Sequence, residues 1–519
     1  MEIRILTQND FWMDNALENF YKLLNDVKNT ERHCLDVQYE VDGIYLNMKN
    51  EDALLHLLQK QIRAKHDRVI FQQIKDKKGL NRNIRLEYVL LPYGKQIAGR
   101  NVLVEQFYDS KETGRFLQYA INRKPGPRRC ILCNRPFEKN VGKLKQGVYP
   151  LATKNRALSG IRKKSDYIDE LCATCFVTGV LEWTDEGLPY RCGLAGHSIL
   201  LFPQFSNFQD LVKFKELSRK MLEERNLTSN IRVKASGVSD SYTGGMHSTL
   251  LLFIEQLIIN FLRQKDNETV LGTTLNRIIC KDWISLKIPS GVVKDVKCSS
   301  IRIADSTLDI ASSVTRFLQK QYSEIVSEAG IYSTIIAKLN FKPQPGRPIS
   351  WDLLRELTFQ LRESLAQSFL ENDMHSFASV FLPRKGLNIN LSEEAVIGVD
   401  VLLMEWQFKP IGLSGRDIES IKESAKVMAE VCSVNAGLLY QMDRARTAPD
   451  FIFTLKEVAK KLVVMADKMA EGTIKMRPKS LEDFFQLLAT REDQWKLLRD
   501  TLVLYTSIAC TNVKMSRGS

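Results

Sequence analysis

The sequence predicts an α+β fold: mixed α/β N-terminal and middle regions with a zinc-knuckle insertion, followed by an all-α C-terminal bundle. In the first two thirds of the chain, short stretches in which apolar and polar residues alternate are interspersed with longer stretches in which apolar residues recur at helical spacing. Two Cys-x-x-Cys pairs interrupt that region. From residue 350 onward, apolar residues recur almost wholly at helical spacing.

Several domains are expected, because 519 residues are too many for one hydrophobic core. Pro125-Gly126-Pro127 predicts a boundary, since prolines flanking a glycine stop regular structure. The proline-rich run 342–348 predicts a linker. The predicted regions are an N-terminal α+β domain (1–122), a basic zinc-binding segment (123–180), a middle α+β region (181–342) and a C-terminal helical bundle (343–519).

The N-terminal elements follow from caps and periodicity. Asp10 is a plausible N-cap for a helix whose apolar residues recur at helical spacing to Val27. Alternation over 37–46 predicts a hairpin that turns at Asp42-Gly43. A helix is expected over 51–64, with short strands near 85–91.

The later elements are predicted in the same way. Helices are expected over 210–224 and through the apolar run 250–262, with strands over 283–288 and 292–296. The apolar run falls short of the roughly 20 residues of a membrane span. Ser350 is expected to cap the first helix of the bundle, and a long helix is expected over 451–471.

The two cysteine pairs are the most specific motif in the chain. Each can bind a metal through one tight turn, and together they complete a tetrahedral Cys₄ site. Cys192 and His197 are nearby alternative ligands. Four thiolates leave no open coordination position, so one structural Zn²⁺ per chain is expected. The predicted ligands are Cys130, Cys133, Cys172 and Cys175.

The cysteines also bear on the cellular compartment. Ten cysteines in a long chain do not resemble a secreted disulfide scaffold. The N-terminal residues lack the basic start and apolar run of a secretory signal. We therefore expect a cytoplasmic protein that has no membrane partner.

The net charge of +13 is unevenly distributed. Residues 123–164 carry thirteen Lys and Arg against one acid, and residues 60–100 carry eleven against three. Such local fields attract polyanions, although a basic run can also be a solvated face. A metal-pinned basic loop suits the phosphate backbone of a nucleic acid. The predicted contacts are Arg123, Lys124, Arg128, Arg129, Lys143, Lys145, Lys154, Arg156, Arg162, Lys163 and Lys164.

No catalytic constellation is evident in the sequence. The six histidines are dispersed, and neither a His-Glu-x-x-His helix nor a Gly-x-Ser-x-Gly elbow occurs. We therefore predict that the protein is not an enzyme. The glycine-rich segment 242–247 precedes a predicted helix; it is either a plain loop or a turn that holds a phosphate through backbone N–H groups.

The start of the chain resembles the large subunits of type I CRISPR Cascade complexes, particularly the type I-B and I-A groups. The resemblance is carried by Asn9, Phe11 or Trp12, Asp14, Ala16 and Leu17, which open an apolar helix. The paired cysteine knuckles and the helical C-terminal bundle are similar as well. The likeness in organisation spans most of the chain, whereas the match in residues covers the first helix and the knuckles.

The resemblance implies a non-catalytic subunit of a crRNA-guided surveillance complex. Its implied partners are crRNA, target double-stranded DNA, and the backbone, small and crRNA-end-binding subunits. Its implied task is to sense the protospacer-adjacent motif, help open the duplex and recruit a helicase–nuclease or a transposition machinery. The glycine-rich segment would be a wedge in the minor groove. The candidate motif-sensing residues are Asn9, Tyr242, Gly244 and Gly245.

Three other functions fit parts of the pattern. A zinc-containing target-selection protein of a transposon would bind duplex DNA by itself, but we find no convincing helix-turn-helix signature. A nuclease would carry an active site scattered through the middle region. A structural scaffold would present its basic surface to acidic proteins, and its binding would not weaken with salt as nucleic-acid binding does.

Overall fold

The computed structural model divides the chain into two compact units. Unit 1 comprises Met1–Arg232 and Asp266–Arg302, and unit 2 comprises Val233–Lys265 and Ile303–Ser519. The structure describes residues 2–68, 71–75, 81–85, 111–138, 144, 148–152, 170–182, 185, 187, 190–194, 197–223, 245–262, 279–289, 296–321, 330–344, 346, 349–468 and 479–517.

Unit 1 begins with a three-stranded antiparallel sheet and a helix. The elements are β1 (Glu2–Leu6), α1 (Phe11–Thr30), β2 (Leu35–Glu40) and β3 (Gly43–Met48), and the strand order is β1-β3-β2. Asp10 caps α1 as predicted, because its Oδ1 accepts the backbone N–H groups of Trp12 and Met13 at 3.0 and 2.9 Å. The hairpin turns at Val41-Asp42, next to the predicted position, and Gly43 is the first residue of β3.

Gly43 is required at this hairpin for two reasons. Its φ of +152° disfavours any residue with a side chain. A Cβ atom there would also lie 2.2 Å from the carbonyl oxygen of Ile5 on the paired strand.

The rest of unit 1 packs helices around a second antiparallel sheet, whose strands follow the order β11 (Lys297–Arg302), β10 (Asp282–Pro289), β9 (His197–Gln204) and β8 (Tyr190–Leu194). The buried faces of α1, the two sheets and the cysteine-bearing helix α4 (Ala173–Glu182) share one hydrophobic core. The remaining elements are α2 (Glu51–Arg68), β4 (Phe71–Lys75), β5 (Asn81–Arg85), α3 (Lys111–Asn122), β6 (Arg128–Arg129), β7 (Pro136–Phe137), α4 (Ala173–Glu182), β8 (Tyr190–Leu194), β9 (His197–Gln204), α5 (Phe208–Glu223), β10 (Asp282–Pro289) and β11 (Lys297–Arg302).

Unit 2 is built almost entirely of helices. Ser350 caps α9 as predicted, since its Oγ accepts the N–H of Leu353. The elements are α6 (Met246–Leu262), α7 (Asp305–Gln321), α8 (Ile331–Lys338), β12 (Asn340–Pro343), α9 (Trp351–Leu370), α10 (Met374–Ser379), β13 (Leu387–Asn390), α11 (Glu393–Leu403), a π-helical turn (Met404–Phe408), α12 (Gly415–Cys432), α13 (Ala436–Asp443), α14 (Ala448–Lys468), α15 (Lys479–Thr490), a 3₁₀ turn (Glu492–Gln494) and α16 (Trp495–Arg517).

The predicted fold class is confirmed, with one correction of detail. Lys342 and Pro343, expected to begin a linker, lie in β12, which pairs antiparallel with β13. The helical part of the chain therefore contains one short strand pair. Most of the strand predicted over 292–296 lies outside the described residues, and the next described strand is β11. No helix in the described parts of the chain is long and apolar enough to cross a membrane.

A buried carboxylate fixes one helix of unit 2. Glu255, in the middle of the apolar helix α6, accepts the backbone N–H groups of Tyr332 and Ser333 at 2.7 and 3.0 Å. These amides belong to the first turn of α8, where N–H groups lack partners within their own helix. Burial raises the pKa of Glu255 to about 7. The charged residue that interrupts the apolar run is thus the cap of another helix.

Candidate metal centre

The four predicted cysteines lie together in unit 1. The sulfur atoms of Cys130, Cys133, Cys172 and Cys175 all lie within 4.8 Å of one another. Three of the residues are buried, and Cys133 is partly exposed. The two pairs are distant in sequence, so the fold itself brings them to one point.

The first cysteine pair lies in the turn of the β6–β7 hairpin. The backbone N–H of Asn134 donates to the carbonyl of Cys130 at 2.8 Å, and the N–H of Cys130 donates to the carbonyl of Arg135 at 2.9 Å. Asn134 adopts the left-handed region with a φ of +53°, which asparagine tolerates better than most residues. This tight turn allows Cys130 and Cys133 to point to one centre.

The second cysteine pair lies at the start of α4. Cys172 precedes the helix and Cys175 occupies its first turn. Backbone N–H groups point at the sulfurs: that of Cys172 lies 3.4 Å from Cys130 Sγ, and that of Cys175 lies 3.5 Å from Cys172 Sγ. The positive end of the helix dipole also favours thiolates at this position.

The cluster has the composition of a closed metal site. Four cysteine sulfurs within reach of one point match a tetrahedral site that keeps no position for substrate. Hydrogen bonds from the other thiols, that of Cys133 first, lower the pKa of Cys130 below its usual range. The structure thus shows four cysteines able to hold a structural metal ion. The side chains of the alternative ligands Cys192 and His197 lie outside the described part of the chain.

Gln8 connects the cysteine cluster to the start of α1. Its side-chain Nε2 donates to Cys175 Sγ at 3.4 Å. Its backbone N–H donates to Asp14 Oδ1 at 2.7 Å. The loop that leads into α1 is therefore tied at one end to the candidate metal ligands and at the other to the first turn of the helix.

A buried cluster of five charged residues lies at the far end of α4 from the cysteines. Arg219 donates to both carboxylate oxygens of Glu18 at 2.6 Å. Lys215 Nζ lies 2.6 Å from Asp185 Oδ2, 3.1 Å from Glu18 Oε2 and 3.7 Å from Glu182 Oε1. All five side chains are at most 5% exposed, so water contributes little to their solvation.

Protonation of one acid balances the charge of this cluster. Burial raises the pKa of Glu182 to about 8. The pKa of Glu18 is lowered, because the positive charges of Arg219 and Lys215 outweigh the effect of burial. At neutral pH two carboxylates thus face two cations, with Glu182 uncharged. The sequence patterns did not predict this cluster, although Glu18 and Glu182 each lie on an otherwise apolar helix face, which is a usable signal.

The structure describes four of the eleven predicted nucleic-acid contacts. Lys124, Arg128 and Arg129 are exposed next to the first cysteine pair. Arg123 is partly buried, adopts a φ of +46° and donates a hydrogen bond to the backbone carbonyl of Arg4. The remaining seven lie outside the described residues: Lys143, Lys145, Lys154, Arg156, Arg162, Lys163 and Lys164.

The described segment 148–152 shows where the basic insertion meets unit 1. The indole N–H of Trp12 donates to the carbonyl of Val148 at 2.7 Å. The hydroxyl of Tyr149 donates to Asp10 Oδ2 at 2.7 Å. This segment lies between Lys145 and Lys154 in sequence. Segment 148–152 is therefore anchored to the start of α1.

The candidate motif-sensing residues lie in different places. Asn9 is exposed in the loop before α1, with a φ of +54°. Tyr242 and Gly244 lie outside the described residues, whereas Gly245 is buried in unit 2.

The carboxylate of Glu363 binds the backbone N–H groups at the start of α6, directly after Gly245. Its Oε1 accepts the N–H of His247 at 2.7 Å, and its Oε2 accepts the N–H of Ser248 at 3.0 Å. A Cβ atom on Gly245 would lie 1.7 Å from Glu363 Oε2, so the glycine makes room for the carboxylate. Glu363 therefore already accepts the N–H groups of His247 and Ser248 that a phosphate at this turn would need, whereas residues 242–244 lie outside the described part of the chain.

The chain was also compared with known proteins. No protein-family model matches it, and no curated protein matches it.

Proposed function

We propose that this protein is a non-catalytic, nucleic-acid-binding subunit with one structural Zn²⁺ per chain. The metal would be held by the four clustered cysteines. Thiolate ligands in a closed tetrahedral set favour zinc over the harder cations that bind oxygen. The ion would fasten the β6–β7 hairpin to α4 and perform no chemistry on a substrate.

One observation carries the proposal: the cysteine cluster fixes a short hairpin that displays basic side chains to solvent. Arg128 and Arg129 form β6, and Cys130 follows directly. Lys124 is exposed just before the hairpin. Cations on a turn that a metal ion holds rigid would contact phosphates with little loss of conformational freedom. Contacts with phosphates contribute affinity that does not depend on the base sequence.

We further propose that the subunit belongs to a crRNA-guided type I CRISPR surveillance complex in the cytoplasm. The supporting residues open α1, where Asn9, Asp14 and Ala16 resemble the start of the large subunits. Gln8 joins this region to the candidate metal ligands. The partners would be crRNA, target DNA and the other Cascade subunits. A recruited helicase–nuclease or transposition machinery would act on the target.

The combined change Arg128→Ala and Arg129→Ala is expected to weaken nucleic-acid binding by a similar factor for all sequences. Each guanidinium that neutralises a phosphate releases counterions. The slope of log affinity against log salt should therefore fall by about 1 for each residue removed. Fluorescence anisotropy with labelled duplex and single-stranded DNA at several salt concentrations measures both quantities.

The matched control removes two other exposed cations of unit 1, Arg32 and Lys49. The Arg32→Ala and Lys49→Ala chain should keep most of the affinity and of the salt slope. If the Arg128→Ala and Arg129→Ala chain lost affinity for one DNA sequence only, the proposed contact with the phosphate backbone would be contradicted. Metal-dependent cleavage of the DNA by the purified protein would contradict the non-catalytic proposal.

A further inference from the structure

The loop between β1 and α1, residues 7–10, contacts the cysteine cluster through a side chain. Gln8 donates from Nε2 to Cys175 Sγ at 3.4 Å. The sulfurs of Cys130 and Cys172 accept backbone N–H groups instead. A backbone donor is present whatever the side chain is, whereas the donor to Cys175 depends on the residue at position 8. A substitution of Gln8 can therefore change the surroundings of a sulfur without removing a ligand.

The Gln8 amide presents the end that a metal-bound cysteine requires. A cysteine that binds a metal is a thiolate, which accepts hydrogen bonds and has no proton to donate. The N–H end of the amide faces the sulfur of Cys175. The other end, Oε1, is buried and accepts no hydrogen bond from the described residues. Within that part of the chain, the contact with Cys175 is therefore the hydrogen bond that fixes the Gln8 amide.

The backbone on either side of the Gln8 side chain fixes the loop before α1. The N–H of Gln8 donates to Asp14 Oδ1 at 2.7 Å, and the N–H of Thr7 donates to the carbonyl of Asp42 at 2.9 Å. Asn9 follows with a φ of +54°. A left-handed conformation at a residue other than glycine persists when the surrounding contacts hold it. The conformation of Asn9 thus depends on neighbours, one of which contacts a candidate metal ligand.

Asn19 connects the same two helices at a point that involves no cysteine. Its Nδ2 donates to the carbonyl of Leu181 at 2.8 Å. Leu181 lies in the last turn of α4, whereas Cys175 lies in the first turn. Helix α1 is therefore joined to α4 at two separate places. Loss of the metal should loosen the contact at Gln8 and spare the contact at Asn19.

We infer that Gln8 positions Cys175 in the metal centre and that metal occupancy, acting through this contact, fixes the loop that carries Asn9. The inference rests on the proposed metal centre and adds to it control over a candidate motif-sensing residue. With the ion bound, the sulfur is held in place and Gln8 holds the loop against it. Without the ion, the sulfur moves away, the contact is lost, and the amides of residues 8–14 exchange their hydrogens faster.

The first test measures metal affinity in full-length chains. Gln8→Leu removes the donor and keeps a similar volume, and Gln8→Glu keeps the shape but carries no donor at neutral pH. Outer contacts to metal ligands contribute about 10–100-fold to metal affinity. Both chains should therefore bind Zn²⁺ about tenfold more weakly in competition with a chromophoric chelator.

Co²⁺ bound in place of Zn²⁺ gives a spectroscopic measure of the same contact. The charge-transfer bands from thiolate to Co²⁺ should move to longer wavelength in both Gln8 variants, because a hydrogen bond no longer stabilises the electrons on the sulfur. Asn19→Leu removes the second connection between α1 and α4 and should change neither the bands nor the affinity. A loss of affinity in Asn19→Leu equal to that in Gln8→Leu would contradict a specific role for Gln8.

Amide hydrogen exchange tests the coupling to the loop. Chelation of the metal should speed exchange in residues 8–14 of the wild-type chain and leave residues 18–22 unchanged. In Gln8→Leu, residues 8–14 should exchange fast whether or not metal is present. Unchanged affinity and bands in both Gln8 variants, or exchange in the wild-type loop that does not respond to metal, overturns this inference alone. A wild-type chain that binds no metal overturns the proposed metal centre as well.

Discussion

The double substitution Cys130→Ser and Cys172→Ser is expected to abolish metal binding and to unfold the β6–β7 hairpin together with the first turn of α4. One ligand is removed from each cysteine pair, so neither half of the site can hold an ion by itself. Structural Zn²⁺ contributes about 10–16 kcal/mol to the folding of small zinc domains. We therefore expect this change to have the largest local effect of any discussed here.

Metal content per chain, measured by inductively coupled plasma mass spectrometry on the purified protein, reports the loss directly. Hydrogen exchange of the amides in residues 128–137 and 171–176 reports the local unfolding. Cys298→Ser removes an exposed cysteine outside the cluster and should retain the metal. One equivalent of metal retained in the double variant would show that the ligands are wrongly assigned.

Glu18→Gln is expected to destabilise unit 1 by about 3 kcal/mol or more, because it leaves two buried cations, Arg219 and Lys215, facing the single charged carboxylate of Asp185. Glu18 accepts two hydrogen bonds from Arg219 and lies 3.1 Å from Lys215. The glutamine has nearly the same shape, so packing is preserved, but the charge and one of the two oxygens that accept from Arg219 are lost. Urea denaturation, with α1 followed by amide hydrogen exchange, measures the change in the free energy of unfolding.

Glu182→Gln is the matched control in the same charged cluster. Neither oxygen of Glu182 accepts a hydrogen bond from the described residues, and its pKa of about 8 keeps it protonated at neutral pH. Replacing a neutral acid with a neutral amide should therefore change stability little. A loss as large as that of Glu18→Gln would contradict the assignment of charges in the cluster.

Glu182 and Glu18 are expected to change the stability of unit 1 in opposite directions as pH varies. The folded pKa of Glu182 lies above its usual value of 4.5, so the folded state holds a proton that the unfolded state releases. This group makes unit 1 less stable as pH rises from about 4.5 to about 8. Glu18 has a lowered pKa, so its contribution is present above its usual value and is lost as pH falls through the folded value. In the Glu182→Gln chain, unit 1 should therefore lose less stability as pH rises from about 4.5 to about 8.

Local features of the fold could be predicted from the sequence because their causes are local. The cap at Asp10, the turn before Gly43 and the cap at Ser350 depend on residues within a few positions of one another. The cysteine cluster could also be predicted, although its halves are far apart. A structural zinc site requires four ligands. Each Cys-x-x-Cys pair therefore indicates that the other pair completes the site, even when the fold is unknown.

The features that were missed depend on contacts between distant segments. Glu18 meets Arg219 across 201 positions, and Glu363 meets the start of α6 across 116. The helix sequences around Glu18 and Glu363 do not indicate which distant residue each carboxylate contacts. Lys342 and Pro343 were predicted to begin a linker but lie in β12, because proline is compatible with a short edge strand and the partner strand β13 lies far along the chain.

Purification of the tagged chain from its own host, with sequencing of bound RNA and identification of the co-purifying proteins, tests the central claim most directly. A nucleic-acid-binding subunit of a crRNA-guided complex should carry repeat-derived RNA of uniform length and co-purify with several other subunits. A lone protein that carries no RNA would contradict the account.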